Sequence, residues 1–267
     1  MGAIRLALLL CDTPIPSVRS VHGTYVEIYR RLLEESLNQA VAPHPEWTLD
    51  GYDVVKGHYP SEEALSQYHG ILISGSAASA YAPLEWIPPV LQFLSRTATS
   101  HPQVKIIGIC FGLQLVARAF GGECVPNKKG WELGVYEVDL TTAGKLIFGQ
   151  DKLRIHQVHR DHVPSLPPRF HLLGSTDKCL VQGMVLPYGS AAEVASFSDI
   201  HILCLQGHPE FTTDIVQKVV DAREASGILD APTAQEARRR AVLEHDGVNA
   251  VGKVIWKLFG LSFLPSV

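Results

Sequence analysis

Three side chains in this chain could act as a nucleophile, a base and an orienting carboxylate: Cys110, His208 and Glu210. Cys110 ends the β-branched apolar run Val104–Ile109, lies between Gly108 and Gly112, and is followed by a helix-like segment, Leu113–Phe120. Strand, sharp turn, nucleophile and helix make the cysteine version of a nucleophile elbow. Small flanking residues let the backbone turn there. The sulfur then sits at a helix N-terminus, where the positive end of the dipole favours thiolate over thiol. A thiolate nucleophile needs a base, and the base needs a group to fix its ring. His208 and Glu210 follow the buried run Ile200–Leu205. Their H-P-E spacing lets the carboxylate reach the imidazole two residues before it, while Pro209 stiffens the turn. The alternative for Cys110 alone is an inert core thiol.

These residues have to be delivered to one place, and the run of elements indicates how. Strand patterns at Ile4–Leu10, Thr48–Val54, Gly70–Ser74 and Val104–Ile109 alternate with helical ones at Tyr25–Leu37, Ser61–Leu65 and Ile87–Thr97. Such a β-α-β-α order predicts an α/β fold with a mostly parallel sheet covered by helices on both faces. Strand carboxyl ends share one edge of a parallel sheet, so Ile109 and Leu205 would bring Cys110 and His208 to the same rim. The middle of the chain differs. Leu133–Leu140, Leu180–Leu186 and Ala191–Phe197 read as strands joined by turns, some of them antiparallel. Helices are expected at Thr213–Ala225, Thr233–Glu244 and Asn249–Leu258. With no internal repeat or disordered linker, one domain spanning 1–267 is expected, with a core of about 4–225 and a helical C-terminal extension of about 226–267.

Composition narrows the classes of partner. A net charge of −4 provides no basic field for nucleic acid or an anionic membrane. Cys11, Cys110, Cys124, Cys179 and Cys204 are an odd, scattered set, which suits free thiols in a reducing compartment. The apolar run at the N-terminus is short for a signal peptide and reads as a first buried strand. No stretch is long enough to span a bilayer, so a cytoplasmic protein is expected. His156, His159 and His162 are spaced like zinc ligands, but Arg160 and Asp161 among them favour a loop with one substrate-contacting histidine. Ser76 and Ser79 are expected to shape a loop, and Arg238–Arg240 to form a solvated helix face. Trp131 either covers a pocket or packs in the core. The other four cysteines are taken as structural.

G-I-C-F-G-L-Q at 108–114 and Q-G-H-P-E-F at 206–211 resemble the nucleophile and His/Glu motifs of the triad-type, class I glutamine amidotransferases. I-S-G-S-A-A-S-A at 73–80, N-K-K-G-W-E-L-G at 127–134 and V-H-R-D-H-V at 158–163 are most similar to free-standing members, among them plant γ-glutamyl peptidases and related fungal proteins. The resemblance covers about residues 4–225 and implies a flavodoxin-like fold with a small added β region. It implies Cys110 as nucleophile, His208 as general base and then acid, and Glu210 as the orienting carboxylate. The oxyanion hole would use the backbone N–H groups of Gly75 and Phe111. Gln114 and the backbone around Val158, His159 and Arg160 would hold the α-amino and α-carboxylate end of a γ-glutamyl substrate. No metal or organic cofactor is implied. Many biosynthetic members have Ser-His-Gly where this chain has Val158-His159-Arg160, and Arg160 is suited to a substrate carboxylate. With no fused synthetase domain, the implied activity is cleavage of the γ-glutamyl amide bond of glutamine or a γ-glutamyl compound. The alternatives are a glutaminase subunit feeding ammonia to a separate synthetase partner, a catalytically silent regulatory protein, and a repurposed acyl-transfer enzyme.

Overall fold

The structure, a computed structural model, describes residues 2–189 and 194–264. Its first half alternates as the apolar runs demand. β1 (Ile4–Leu10) leads through α1 (Pro16–His22) to α2 (Tyr25–Leu37). A capping box fixes the start of α2: the Thr24 hydroxyl accepts from the Val26 N–H, and the Glu27 carboxylate accepts the Thr24 N–H at 2.7 Å. β2 (Trp47–Asp53), α3 (Glu62–Leu65, capped by Ser61), β3 (Gly70–Ile73), α4 (Ile87–Ser100), β4 (Lys105–Ile109) and α5 (Phe111–Ala119) follow.

Next come β5 (Val125–Pro126), β6 (Glu132–Leu140), α6 (Thr142–Phe148), β7 (Lys152–His159), β8 (Asp161–His162), β9 (His171–Ser175) and β10 (Gly183–Pro187). β11 (Ile200–Leu205) precedes α7 (Thr213–Ala225) and α8 (Ala231–Ala241). A π-helical turn, Gly247–Gly252, then runs into α9 (Lys253–Lys257).

Nine strands form one sheet in the order β2-β1-β3-β4-β11-β10-β9-β6-β7. The five from β2 to β11 are parallel, and the rest pair antiparallel. The added β region is therefore a continuation of the sheet, with β5 and β8 forming a separate short ribbon. Alternate residues of β1 feed opposite layers: Leu6 and Leu8 pack with α2 and the C-terminal segment, whereas Ala7 and Leu9 pack with α4 and α5. The C-terminal segment is anchored by Trp256, whose indole N–H donates to the Leu33 carbonyl at 2.9 Å and whose ring meets Trp47 edge-on. Among the described residues no helix is long and apolar enough to cross a membrane.

In the parallel half the sequence reading misses α1 and starts α5 two residues late; the larger differences lie in the antiparallel half. The strand expected at Ala191–Phe197 falls partly outside the described residues; what is described, from Val194, is irregular chain and a single 3-10 turn, Phe197–Asp199. The strand expected from Leu180 starts at Gly183. The segment carrying His156 and His159, expected as a loop, is strand β7, paired along its length with β6. Its alternation of polar side chains hides a strand whose histidines and glutamine are nevertheless buried.

Candidate active site

β4 and β11 are neighbours, with Ile109 opposite Leu205, so the residues after them leave the sheet at one edge. Cys110 is the sole residue between β4 and α5 and has φ 53° and ψ −101°. A side-chain-bearing residue held there costs about 1–3 kcal/mol. Its N–H donates to the Leu205 carbonyl at 2.8 Å, and its carbonyl accepts the Gln114 N–H at 3.2 Å, which fixes the turn from both sides. Gly108 and Gly112 do not supply the turn, since neither has a positive φ. They supply proximity. A β-carbon at Gly112 would lie 2.6 Å from the Ile73 carbonyl oxygen, and one at Gly108 would lie 2.8 Å from the Gly112 carbonyl. As the first residue of α5, Phe111 has an N–H with no acceptor inside the helix.

Beyond β11 the chain crosses to β7, where the His208 N–H donates to the His156 carbonyl at 2.8 Å. His208 Nδ1 lies 2.8 Å from Glu210 Oε1, and the imidazole is stacked on Phe211 with centroids 4.0 Å apart. The Nδ1 contact leaves Nε2 as the ring nitrogen available to the neighbouring Cys110. All three side chains are buried. Burial opposes a charged His208, but Cys110 and Glu210, through charge and hydrogen bonding, push it up to about 10. Gln206, which sequence reasoning passed over, donates from Nε2 to Cys110 Sγ at 3.4 Å. Gln114 Nε2 donates to the Asp161 carbonyl at 3.0 Å and to Gln206 Oε1 at 3.3 Å, leaving its own oxygen as the open polar atom.

The loop after β3 faces this pair. The Ser74 hydroxyl accepts the Cys11 N–H and donates to the Gly75 carbonyl, both at 3.0 Å. Asp12 accepts the Ala77 N–H at 2.7 Å and the Ser76 hydroxyl at 3.3 Å, and the Ser79 hydroxyl donates to Asp161. Ser76 and Ser79 thus shape the loop. A β-carbon at Gly75 would lie 2.8 Å from His208 Cε1. Gly75→Ala is therefore expected to displace the imidazole and lower turnover by roughly 100-fold with the fold retained. Steady-state kinetics alongside far-UV circular dichroism check this; unchanged kcat would show that the ring tolerates the methyl group.

Cys110 and His208 open into a cavity of about 590 Å3 whose wall also includes Asp12, Tyr25, Gln114, Trp131, Val158–Asp161 and Arg223. Trp131 fulfils both of its expected roles, lining the cavity and packing against the cluster around Leu133, Val158 and Phe211. Arg160 is exposed, with its guanidinium over the Trp131 ring. His159 is buried: Nδ1 lies 3.0 Å from the Asp161 carbonyl and Nε2 lies 3.0 Å from Glu132 Oε2. Three residues of spacing put His156 on the other side of β7, against His245, so the histidines do not converge.

Glu132, His159 and Cys179 do bring one ligand atom each within 4.8 Å of one another. Glu132 is already occupied by Thr176 and Gln182 Nε2, each at 2.7 Å, and burial pushes the Cys179 thiol up. The donor set is that of a hydrogen-bonded core. Arg238, Arg239 and Arg240 pair with Asp221, Glu224 and Glu236 along α7 and α8. A larger groove, about 920 Å3, between β6, β7 and α8 is lined mainly by charged side chains away from Cys110.

Residues 51–218 match the family described as glutamine amidotransferase class-I. A glutamine amidotransferase-like protein of Schizosaccharomyces pombe is 33% identical, with 88% of this chain and 91% of that protein covered. Gamma-glutamyl peptidase 4 of Arabidopsis thaliana is 30% identical over 96% of this chain and 94% of its own length. The crystal structure of a glutamine amidotransferase from Thermotoga maritima superposes with a TM-score of 0.68 at 19% identity, covering 96% of this chain and 98% of that one.

Proposed function

The chain belongs to the glutamine amidotransferase class-I family, and on that premise we propose that it cleaves γ-glutamyl amide bonds through a thioester on Cys110. The observation that supports this most is the meeting of Cys110, His208 and Glu210, the first two of which line a cavity. Nδ1 of His208, held by Glu210, leaves Nε2 to take the thiol proton. The sulfur attacks the γ-carbonyl, and the Gly75 and Phe111 N–H groups receive the oxyanion. His208 then returns its proton to the leaving amine as the C–N bond breaks, leaving a C–S bond to the glutamyl group. Water, deprotonated by the same imidazole, adds to the thioester; the C–S bond breaks, glutamate leaves and the thiol regains its proton. The sum is one water consumed per amide cleaved. Gln206 steadies the sulfur, and Gln114, with the Val158–Arg160 backbone, receives the α-amino and α-carboxylate end. The plant relative named as a γ-glutamyl peptidase supports a peptide-type substrate, and a substrate of that size fits the cavity, since ligand pockets usually occupy about 300–1,000 Å3.

The test is glutamate release by the purified chain from glutamine and from γ-glutamyl peptides, together with mass spectrometry of acid-quenched enzyme. Release without any added protein and a glutamyl adduct on the Cys110 peptide are expected. Release from glutamine alone, and only after a second protein is supplied, would instead make the chain an amidotransferase subunit. Release indistinguishable from buffer on every substrate would remove the proposal.

A further inference from the structure

We propose that Arg223 and Trp131 form a carboxylate subsite for the leaving group of a γ-glutamyl peptide, a refinement that rests on the γ-glutamyl reading above. Arg223 projects from α7 into the cavity wall, with its guanidinium 4.7 Å from the centre of the Trp131 ring. Among the described residues it has no carboxylate or carbonyl partner. Its charge is part-buried, and the groups facing it electrostatically are Cys110, Tyr25 and Asp12. Burial disfavours such a cation, and an aromatic face offsets only part of that cost.

The other charges on this wall account for themselves differently. Asp12 uses its carboxylate on the N–H groups of Thr13 and Ala77, and Asp161 accepts from Ser79 and Tyr81. Both acids are committed to holding loops. Arg160, also over Trp131 at 5.8 Å, likewise has no ion-pair partner among the described residues. The cavity therefore keeps unspent positive charge on two guanidinium groups sharing one indole. On α7 and α8, by contrast, Arg238 is paired with Asp221 and Glu224.

A planar guanidinium with free donors matches a carboxylate in bidentate fashion. The glutamyl end has its own partners in Gln114 and the Val158–Arg160 backbone, whereas Arg223 comes from a different element. Ammonia leaving from glutamine would need neither the extra space nor the cation. A leaving amino acid or peptide with a free carboxylate would use both, so the substrate class is a γ-glutamyl peptide with an unblocked C-terminus. Arg223 is then a specificity-determining residue.

The experiment compares kcat/KM for γ-glutamylglycine and γ-glutamylglycinamide, which differ only in the terminal carboxylate, in wild type, Arg223→Gln and Arg223→Lys. The wild type is expected to favour the acid by roughly 10- to 100-fold, chiefly through KM, as for a charge-assisted pair. Arg223→Gln should bring the ratio toward one, and Arg223→Lys should restore part of it. Equal wild-type efficiency on the two substrates, or a ratio unchanged in Arg223→Gln, would overturn the subsite while leaving γ-glutamyl cleavage intact. The wild-type comparison decides alone if the variants do not fold. No glutamate from either substrate would overturn the γ-glutamyl reading itself.

Discussion

Cys110→Ala is expected to lower glutamate release by at least roughly 10,000-fold while leaving the protein folded. The proposed thioester requires a sulfur at this position, and no other thiol can stand in. Cys11, Cys124, Cys179 and Cys204 are buried, and burial pushes each of their thiols up, Cys124 to about 12. Only Cys179 has an imidazole held by a carboxylate nearby, His159 with Glu132, and Cys179 is not part of the cavity wall. The fold should survive because the backbone of the turn is held by its own hydrogen bonds to Leu205 and Gln114, which do not involve the sulfur. Alanine also bears a β-carbon, so the strained φ of 53° is left as it was. Kinetics on γ-glutamyl peptides, paired with thermal unfolding, check the expectation. Activity close to wild type in a folded variant would remove Cys110 as the nucleophile.

The second large effect is expected at Glu210. Glu210→Gln keeps the shape but removes the charge 2.8 Å from His208 Nδ1 and permits the wrong tautomer, so a loss of roughly 1,000- to 10,000-fold in kcat is expected. The pH behaviour separates this charge role from a packing one. Although burial opposes it, the charge and hydrogen bonds of Cys110 and Glu210 raise His208 to about 10, above its ordinary value of about 6.5. A raised value means that the folded state binds the proton more tightly than the unfolded state. The stability contributed by the imidazolium is then full below about pH 6.5 and is lost as pH rises through about 10. Activity should fall over the same upper limb, because the leaving amine needs that proton. In Glu210→Gln one of the two groups that raise the imidazole is gone, so the limb should move to lower pH. Its position can be read from kcat against pH and from the imidazole resonances of His208. A limb that stays in place would mean that Glu210 does not set the charge of the ring.

Much of the parallel half was legible from the chain because its signals are local. β1, α2 and α7 begin and end where periodicity and capping residues placed them, and Ser61 caps α3. Continuous apolar runs such as Gly70–Ile73 have only one way to be buried, as central strands between two helical layers. The antiparallel half was harder. β7 carries buried His156, Gln157 and His159 where apolar residues would have marked a strand, and β9 and α6 are too short to stand out. The α9 helix opens with a π-helical turn that no spacing announces.

Within the candidate site, the sequence by itself determined the residue types and the local turn: a cysteine between a strand and a helix, and a histidine two residues from a glutamate after another strand. Both are short-range patterns, so neighbouring residues suffice to define them. Even there, the reason for the flanking glycines emerged only from packing, as close approach of Gly112 to Ile73 and of Gly108 to the Gly112 backbone, and not as backbone conformation. The tertiary structure alone decided that β4 and β11 lie side by side with Ile109 level with Leu205, which brings the two patterns together. It also decided that Asp12 braces the Gly75 loop, that Glu132 backs His159, and that Arg160 and Arg223 share Trp131. Those contacts join segments far apart along the chain, and their geometry comes from strand order and helix packing, which no local spacing records.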